Sequence, residues 1–174
     1  METGQDWKIA ALTFYIYVHF FYGVIMKNEF MIMAFDEAKK AGNNNEVPIG
    51  AVIVKDNKVI SKAHNTKELN ECVICHAEMI AIKRASSALN NWRLDGCDIY
   101  ITLEPCPMCA SAIKQARINR IFFGLRNSDK KNIKIVKQIL LSDRTNKNVD
   151  LFGGYYQSKI YNLMKFFFLC KRKK

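Results

Sequence analysis

The spacing of apolar residues changes several times along the chain, and each change predicts a new element. Residues 29–41 carry apolar side chains every three or four positions, which predicts an amphipathic helix that ends at Gly42. Apolar runs at residues 51–54 and 59–60 flank a polar Asp56-Asn57 pair, which indicates a β-hairpin. We therefore expect a helix followed by two antiparallel strands.

Helical and extended patterns alternate over the rest of the chain. Helical spacing predicts four more helices, over residues 79–89, 105–117, 133–141 and 159–169. Compact apolar runs predict two more strands, over residues 97–103 and 118–125. Pro105 would occupy the first position of its helix, where the missing N–H of proline is harmless. Strands that alternate with helices predict an α/β fold, a three-layer α/β/α sandwich.

An unusual apolar stretch precedes this pattern. Residues 9–25 are almost wholly apolar and aromatic, slightly short for a membrane span of about 20 residues, and without the features of a secretory signal. Three interpretations stay open: translation that begins at Met26, a membrane anchor, or a buried helix. We divide the 174 residues into an N-terminal extension, residues 1–25, which is an artefact in the first interpretation, and one folded domain, residues 26–174.

The chain is strongly basic. Its 27 Lys and Arg residues against 16 Asp and Glu give a net charge of +11, which favours a polyanionic partner, nucleic acid before membrane. A general bias toward Lys and Asn explains this charge equally well. A hydrophobic content of 49% excludes general disorder, and six cysteines without a regular framework indicate a reduced, intracellular protein with a metal site.

Candidate chemistry lies in two short motifs that are far apart in the sequence. His76-Ala77-Glu78 and Pro105-Cys106-Pro107-Met108-Cys109 together form the His-x-Glu and Pro-Cys-x-x-Cys signature of zinc deaminases that act on nucleobases. Imidazole and thiolates bind Zn²⁺, and His76, Cys106 and Cys109 would leave its fourth position to water. Glu78 is then the candidate general acid and base. This interpretation predicts one Zn²⁺ per chain.

The cysteines also allow a non-catalytic zinc-binding module. Cys72-x-x-Cys75 and Cys106-x-x-Cys109 would then form a closed structural zinc site. The two pairs are further apart than the roughly fifteen to twenty residues that are common in such sites. This alternative also leaves His76 and Glu78 without a role.

Several motifs, taken with the zinc signature, resemble one family. They are Glu46-Val47-Pro48-Ile49-Gly50-Ala51-Val52, Asn65, His76-Ala77-Glu78, Asn91-Trp92-Arg93-Leu94, Thr102-Leu103-Glu104-Pro105-Cys106-x-Met108-Cys109 and Arg117-Ile118-x-Arg120-x-x-Phe123-Gly124. Over about residues 29–125 the chain resembles the bacterial TadA-type tRNA-specific adenosine deaminases of the cytidine deaminase-like superfamily. The resemblance implies a five-stranded mixed sheet, a cytoplasmic homodimer, and a hydrolase that converts the wobble adenosine of a tRNA anticodon stem-loop to inosine. It also makes residues 26–174 a zinc-dependent deaminase domain, with a membrane role only if residues 9–25 are an anchor.

The resemblance further implies substrate contacts. Asn65 would hydrogen-bond a flipped base, Ala77 would lend a backbone contact, and Pro48 and Asn127 would complete the substrate site. Residues 126–132 depart from the family pattern, since Asn127 stands where aspartate is common, and this departure concerns substrate contacts only. Lys165 and the basic residues 171–174 are candidates for phosphate contacts or form a solvated tail.

A second enzymatic alternative is deamination of a free base or nucleoside, of the guanine or cytosine type. The sequence Cys106-Pro107-Met108-Cys109 also resembles guanine deaminase-like members, so Pro107 does not decide between the two. Both hypotheses assign the same metal ligands and the same acid and base. They differ in the substrate that reaches them.

Overall fold

The computed structural model describes residues 29–142 and 149–172. Residues 29–43 form helix α1. The other elements follow in the order β1 (Gly50–Lys55), β2 (Lys58–His64), α2 (Ala77–Ala88), β3 (Cys97–Leu103), α3 (Pro107–Gln115), β4 (Arg120–Leu125), α4 (Lys130–Leu141), β5 (Asp150–Gly153) and α5 (Gln157–Lys171). The N-terminal extension, residues 1–25, lies outside the described residues. In the described part of the chain, no helix has the length and apolar character that crossing a membrane requires.

The five strands form one mixed sheet in the order β2-β1-β3-β4-β5. β1 pairs antiparallel with β2 and with β3, which confirms the predicted hairpin. β3, β4 and β5 run parallel to one another. Because β3 and β4 are parallel neighbours, the chain leaves both strands at the same edge of the sheet.

Helices cover both faces of the sheet, so the predicted three-layer sandwich is confirmed. On one face, the small buried residues of α2, Ala77, Ala81 and Ala85, lie in one core with strand residues such as Ile99 and Ile101. On the other face, α1 and α5 cover an aromatic core. There the Tyr100 and Phe122 rings stack with centroids 4.7 Å apart.

Gly50 lets α1 lie against β1. A Cβ atom at this position would clash with the Ala34 carbonyl oxygen and the Ala38 nitrogen, both backbone atoms of α1. Only a residue without a side chain permits such close approach of two backbones. This contact fixes α1 beside the start of β1, where the Glu46–Val47–Pro48 motif leads into the sheet.

Helix α3 starts later than we predicted. Its first residue is Pro107, and Cys106 is the N-cap with φ −74° and ψ 166°. The proline ring disfavours helical torsion angles in the residue before it, so Cys106 stays extended. Pro107, and not Pro105, therefore occupies the first helical position that suits proline.

Strand β5 has no counterpart among the elements that the local pattern predicted. It has four residues, and only Leu151 is shielded from solvent to any extent. It pairs with one neighbour, β4, and lies at the edge of the sheet. A short and mostly exposed edge strand carries too little alternation to be recognised, and here the family resemblance alone implied a fifth strand.

Candidate metal and substrate site

Two helix N-termini carry the deaminase signature. His76 is the N-cap of α2, and Glu78 lies in the first turn of that helix. Cys106 is the N-cap of α3, and Cys109 lies in its first turn. The partial positive charge of a helix N-terminus stabilises a thiolate relative to a thiol, so α3 suits its two cysteines.

His76, Cys106 and Cys109 converge on one point. The Nδ1 atom of His76 lies 3.8 Å from Cys106 Sγ and 3.6 Å from Cys109 Sγ, and the ligand atoms of the three residues all lie within 4.8 Å of one another. A tetrahedral Zn²⁺ with ordinary bond lengths needs ligand atoms about 3.6–3.8 Å apart. The donor set and its spacing therefore fit Zn²⁺ with three protein ligands.

Cys72 and Cys75 take no part in this cluster. Their side chains hydrogen-bond to each other instead. Across residues 29–142 and 149–172, the His76 cluster is the one group of three or more His, Cys, Asp or Glu side chains that is arranged to hold a metal. The closed four-cysteine site that the alternative hypothesis requires is not formed among them.

The three candidate ligands differ in how readily they lose a proton. A hydrogen bond from Cys109, assisted by one from His76, lowers the pKa of Cys106 to about 4 despite partial burial. The hydrogen bond with Cys106 raises the pKa of His76, and the hydrogen bond with Cys106, together with burial, raises the pKa of Cys109. The shifts make Cys106 the more acidic of the two thiols, whereas Cys109 has to release a proton, and His76 has to be neutral, for a metal to bind.

Glu78 is a buried carboxyl group beside the cluster. Only 3% of its surface is exposed, and burial raises the pKa of its carboxyl. Its Oε2 atom is buried and has no hydrogen-bond partner among the described residues. A buried carboxylate oxygen without a partner costs free energy, so this atom is placed for a donor that arrives from outside the chain.

Backbone hydrogen bonds draw the predicted substrate residues toward the cluster. The Asn65 N–H donates to the Ile49 carbonyl at 3.0 Å, which places Asn65 beside the segment that follows Pro48. The Thr66 N–H donates to the Cys75 carbonyl at 3.1 Å, next to His76. Asn65, Pro48 and Ala77 are all buried. The segment at Asn65 and Thr66 therefore links the start of β1 to the residue before His76.

Asn127 lies on a different segment, after β4. Its backbone N–H donates to Glu104 Oε2 at 3.0 Å, and its side-chain Oδ1 accepts a hydrogen bond from the Asp129 N–H at 2.9 Å. The side chain therefore closes a turn within its own loop. The other oxygen of Glu104, Oε1, is buried and unpaired in the described structure.

Two buried carboxylates support these segments, and our sequence analysis gave them no role. Glu46 is fully buried, and Glu104 is 2% exposed. Glu46 accepts hydrogen bonds from Asn65 and Leu69, while Glu104 holds Asn127. The sequence offered one sign of such a role, a single acidic residue at the edge of an apolar run. An acidic residue is rarely buried there unless it has a partner.

A groove of about 530 Å³ lies between the loop after β4 and helix α5. Its polar and aromatic lining includes Arg126, Asn127, Tyr161, Lys165, Phe168 and Arg172. Cations and exposed aromatic rings along one groove are the side chains that bind phosphates and unstacked bases.

Comparison with known proteins identifies the family. A family model described as MafB19-like deaminase matches residues 25–172. A tRNA-specific adenosine deaminase of Bacillus subtilis (strain 168) is 39% identical over 145 residues, which cover 83% of this chain and 90% of the relative. The chain belongs to the tRNA-specific adenosine deaminase family. The predicted resemblance and the prediction of a deaminase enzyme are confirmed.

Solved structures agree with this membership. A tRNA:A34 deaminase, studied for A-to-I editing at the wobble position of transfer RNA, matches with a TM-score of 0.72 and 37% identity, covering 78% of this chain and 98% of that chain. A guanine deaminase from Bacillus subtilis matches with a TM-score of 0.55 and 34% identity, covering 62% of this chain and 69% of that chain. Similarity to the adenosine deaminase thus extends over more of both chains.

Proposed function

We propose that this family member catalyses the zinc-dependent hydrolytic deamination of adenosine to inosine at the wobble position of a tRNA anticodon stem-loop. The observation that carries the proposal is the convergence of His76, Cys106 and Cys109 beside the buried carboxyl group of Glu78. Similarity to tRNA-specific deaminases over most of the chain supports the choice of substrate.

One Zn²⁺ per chain would be held by His76 Nδ1 and the sulfur atoms of Cys106 and Cys109. When bound, the metal supplies a Lewis acid that lowers the pKa of a water molecule to about 7. The two thiolates balance its formal charge. His76 and Cys106 serve as helix N-caps, so both backbones hold their ligands in place before the metal arrives.

Glu78 would carry the proton transfers. Its carboxylate takes a proton from the water that attacks C6 of adenine and delivers a proton to the ring nitrogen N1. Glu78 then takes the second proton from the new hydroxyl group on C6 and gives it to the departing amino group, and ammonia leaves as the C6–N bond breaks. The oxygen of water remains on C6, which gives inosine. Burial suits this role, because a raised pKa brings the carboxyl closer to the working pH.

The remaining residues would bind the substrate. Asn65, Ala77 and Pro48 would contact the flipped base from the wall beside His76, and Asn127 would line the opposite side through its loop. Lys165 and Arg172, in the groove next to Asn127, would bind phosphates of the anticodon stem-loop. We further propose that residues 26–174 form the deaminase domain and that it acts as a homodimer in the cytoplasm.

A substrate panel tests this function. Zinc-loaded protein is incubated with an anticodon stem-loop that carries adenosine at the wobble position, with free guanine and with cytidine, and the products are separated by liquid chromatography and mass spectrometry. We expect inosine from the stem-loop and little turnover of the free compounds. The Glu78→Gln variant is the matched control, since it preserves side-chain size and removes proton transfer; we expect a loss of about 10²–10⁴-fold in kcat. If guanine or cytidine is deaminated and the stem-loop is recovered without inosine, the alternative of a free-base or nucleoside deaminase is established.

A further inference from the structure

Glu46 is a buried carboxylate with both oxygen atoms engaged. It lies after α1, ahead of β1, and none of its surface is exposed. Oε2 accepts a hydrogen bond from Asn65 Nδ2 at 3.0 Å, and Oε1 accepts one from the Leu69 N–H at 2.7 Å. A buried carboxylate is costly to desolvate and persists where hydrogen bonds compensate it. The two donors lie on the segment that leads from β2 to His76.

The chemistry of this contact fixes the orientation of Asn65. An asparagine amide has a donor end and an acceptor end of nearly equal size. It can therefore rotate by about 180° when its partner can both donate and accept a hydrogen bond. A carboxylate only accepts hydrogen bonds, and Glu46 therefore accommodates the Nδ2 end of Asn65 alone. The Oδ1 end is left to face away from Glu46.

We infer that Glu46 is a positioning residue that determines which end of the Asn65 amide meets the substrate base. The inference rests on the proposed function, in which Asn65 contacts the flipped base. Glu46 touches neither the base nor the metal ligands and acts through Asn65. Its bond to Leu69 holds the same segment, whose Thr66 N–H is tied to the Cys75 carbonyl next to His76.

The Glu46→Gln variant tests the orientation. Glutamine offers one acceptor and one donor to two facing donors. Its oxygen would pair with the Leu69 N–H, and its amide N–H would force Asn65 to turn its Oδ1 inward, which presents Nδ2 to the base. A donor in place of an acceptor weakens base binding, so we expect kcat/KM to fall about 10- to 100-fold. The loss should appear mainly in KM, with kcat per bound zinc little changed.

An exchange of the two functional groups provides the rescue. In the Glu46→Gln/Asn65→Asp double variant, the glutamine oxygen still accepts from Leu69, its N–H donates to the new carboxylate, and a carboxylate oxygen faces the base as Oδ1 does in the parent. We expect kcat/KM of the double variant to return to within about 5-fold of the parent. Asn65→Asp alone sets two carboxylates against each other and should remain impaired.

A third arm separates positioning from a merely structural role. Glu46→Gln is combined with Asn65→Ala, which removes the amide through which Glu46 acts. Positioning predicts that Glu46→Gln then has no further effect on KM. A structural role predicts instead that Glu46→Gln lowers the melting temperature and the active fraction by the same amount in the parent and in the Asn65→Ala variant. It also predicts that Glu46→Gln leaves KM unchanged in both backgrounds.

The outcomes distinguish this inference from the proposed function. All variants are compared on whichever compound of the panel the parent protein turns over best. Turnover of guanine or cytidine overturns the proposed substrate, and the exchange variant still decides the role of Glu46. A double variant no better than Glu46→Gln, or equal losses in both Asn65 backgrounds, overturns the positioning role while the function stands. A parent that turns over none of the three compounds overturns both.

Discussion

The imidazole Nδ1 of His76 lies 3.6 Å from the sulfur of Cys109, although the two residues are 33 positions apart in the sequence. The distance is close to an edge of a zinc coordination tetrahedron, about 3.6 Å. The fold thus brings the ligands to metal-binding distance before any metal is considered. Helices α2 and α3 do this by starting at neighbouring points on one face of the sheet.

Metal content gives the first prediction. The purified protein should hold one zinc per chain, and His76→Ala should lose it, because two thiolates alone leave the coordination incomplete. The control is the Cys72→Ala/Cys75→Ala double variant, whose thiols pair with each other outside the cluster and which should keep the zinc. Elemental analysis by mass spectrometry measures the ratio. Zinc loss in the double variant would favour the closed four-cysteine site.

The second prediction concerns the contact between α1 and β1. Gly50→Ala should destabilise the protein by about 1–3 kcal/mol, because the new methyl group meets backbone atoms that cannot move aside. Gly42→Ala is the matched control, since its Cβ would meet Pro48 Cβ at 3.6 Å, an ordinary van der Waals distance. Urea denaturation of both variants measures the free energy of unfolding. Equal stability of the two variants would contradict the close approach.

The third prediction concerns acid stability at Glu37 of α1. Burial raises the pKa of this carboxyl, but hydrogen bonds from Lys40 and His64 outweigh burial and lower it below its ordinary value of 4.5. A carboxyl whose pKa is lower in the folded state stabilises the fold above pH 4.5 and loses this effect as the pH falls through the folded value. Glu37→Gln should therefore be less stable than the parent at pH 7, and the gap should narrow toward pH 3.5.

Urea denaturation of zinc-free protein at both pH values measures this gap without a contribution from acid release of the metal. Asp36→Asn is a suitable control, because Asp36 is exposed on the same helix and pairs with exposed Lys39 at 2.6 Å. A gap for Glu37→Gln that stays constant with pH would show that its hydrogen bonds do not depend on ionisation.

The fourth prediction concerns the groove beside Asn127. Lys165→Ala and Arg172→Ala should each weaken binding of the anticodon stem-loop. Each variant loses one phosphate contact, so binding releases fewer counterions, and the slope of the logarithm of the binding constant against the logarithm of the salt concentration should become less steep by about 0.7–0.9. Lys137→Ala, an exposed cation on α4, is the control of equal charge change and should leave the slope unchanged. Fluorescence anisotropy with a labelled stem-loop measures both quantities. Equal slopes for all variants would place the RNA on another surface.

The parts of the fold that local pattern predicted are those with strong periodicity. Regular apolar spacing predicted the hairpin before Asn65, the strand before Glu104 and the helices on both faces of the sheet. The same apolar residues form the two hydrophobic cores. The ligand motifs were equally visible, because metal chemistry restricts which side chains can occur. By contrast, the start of α3 depended on the torsion angles of a single residue, Cys106, and β5 on pairing with a distant strand.

The supports of the substrate segments were not predictable in the same way. Glu46 and Asn65 are 19 residues apart, and Glu104 and Asn127 are 23 apart. No local periodicity connects such positions, since the contacts exist only after the sheet has formed. Sequence motifs marked Glu46 and Glu104 as family residues, and the structure assigned their partners.

The parallel pairing of β3 with β4 bears on how the substrate range of such an enzyme can diverge. Helix α3, whose start carries two of the candidate metal ligands, follows β3, and residues 126–129 form the loop between β4 and α4. The side chain of Glu104 links the two through the Asn127 backbone. A backbone contact places no demand on the identity of the residue that makes it. We therefore expect substitutions to accumulate after β4 while the residues at the start of α3 are kept, and residues 126–132 are where the sequence pattern predicts a departure from the family.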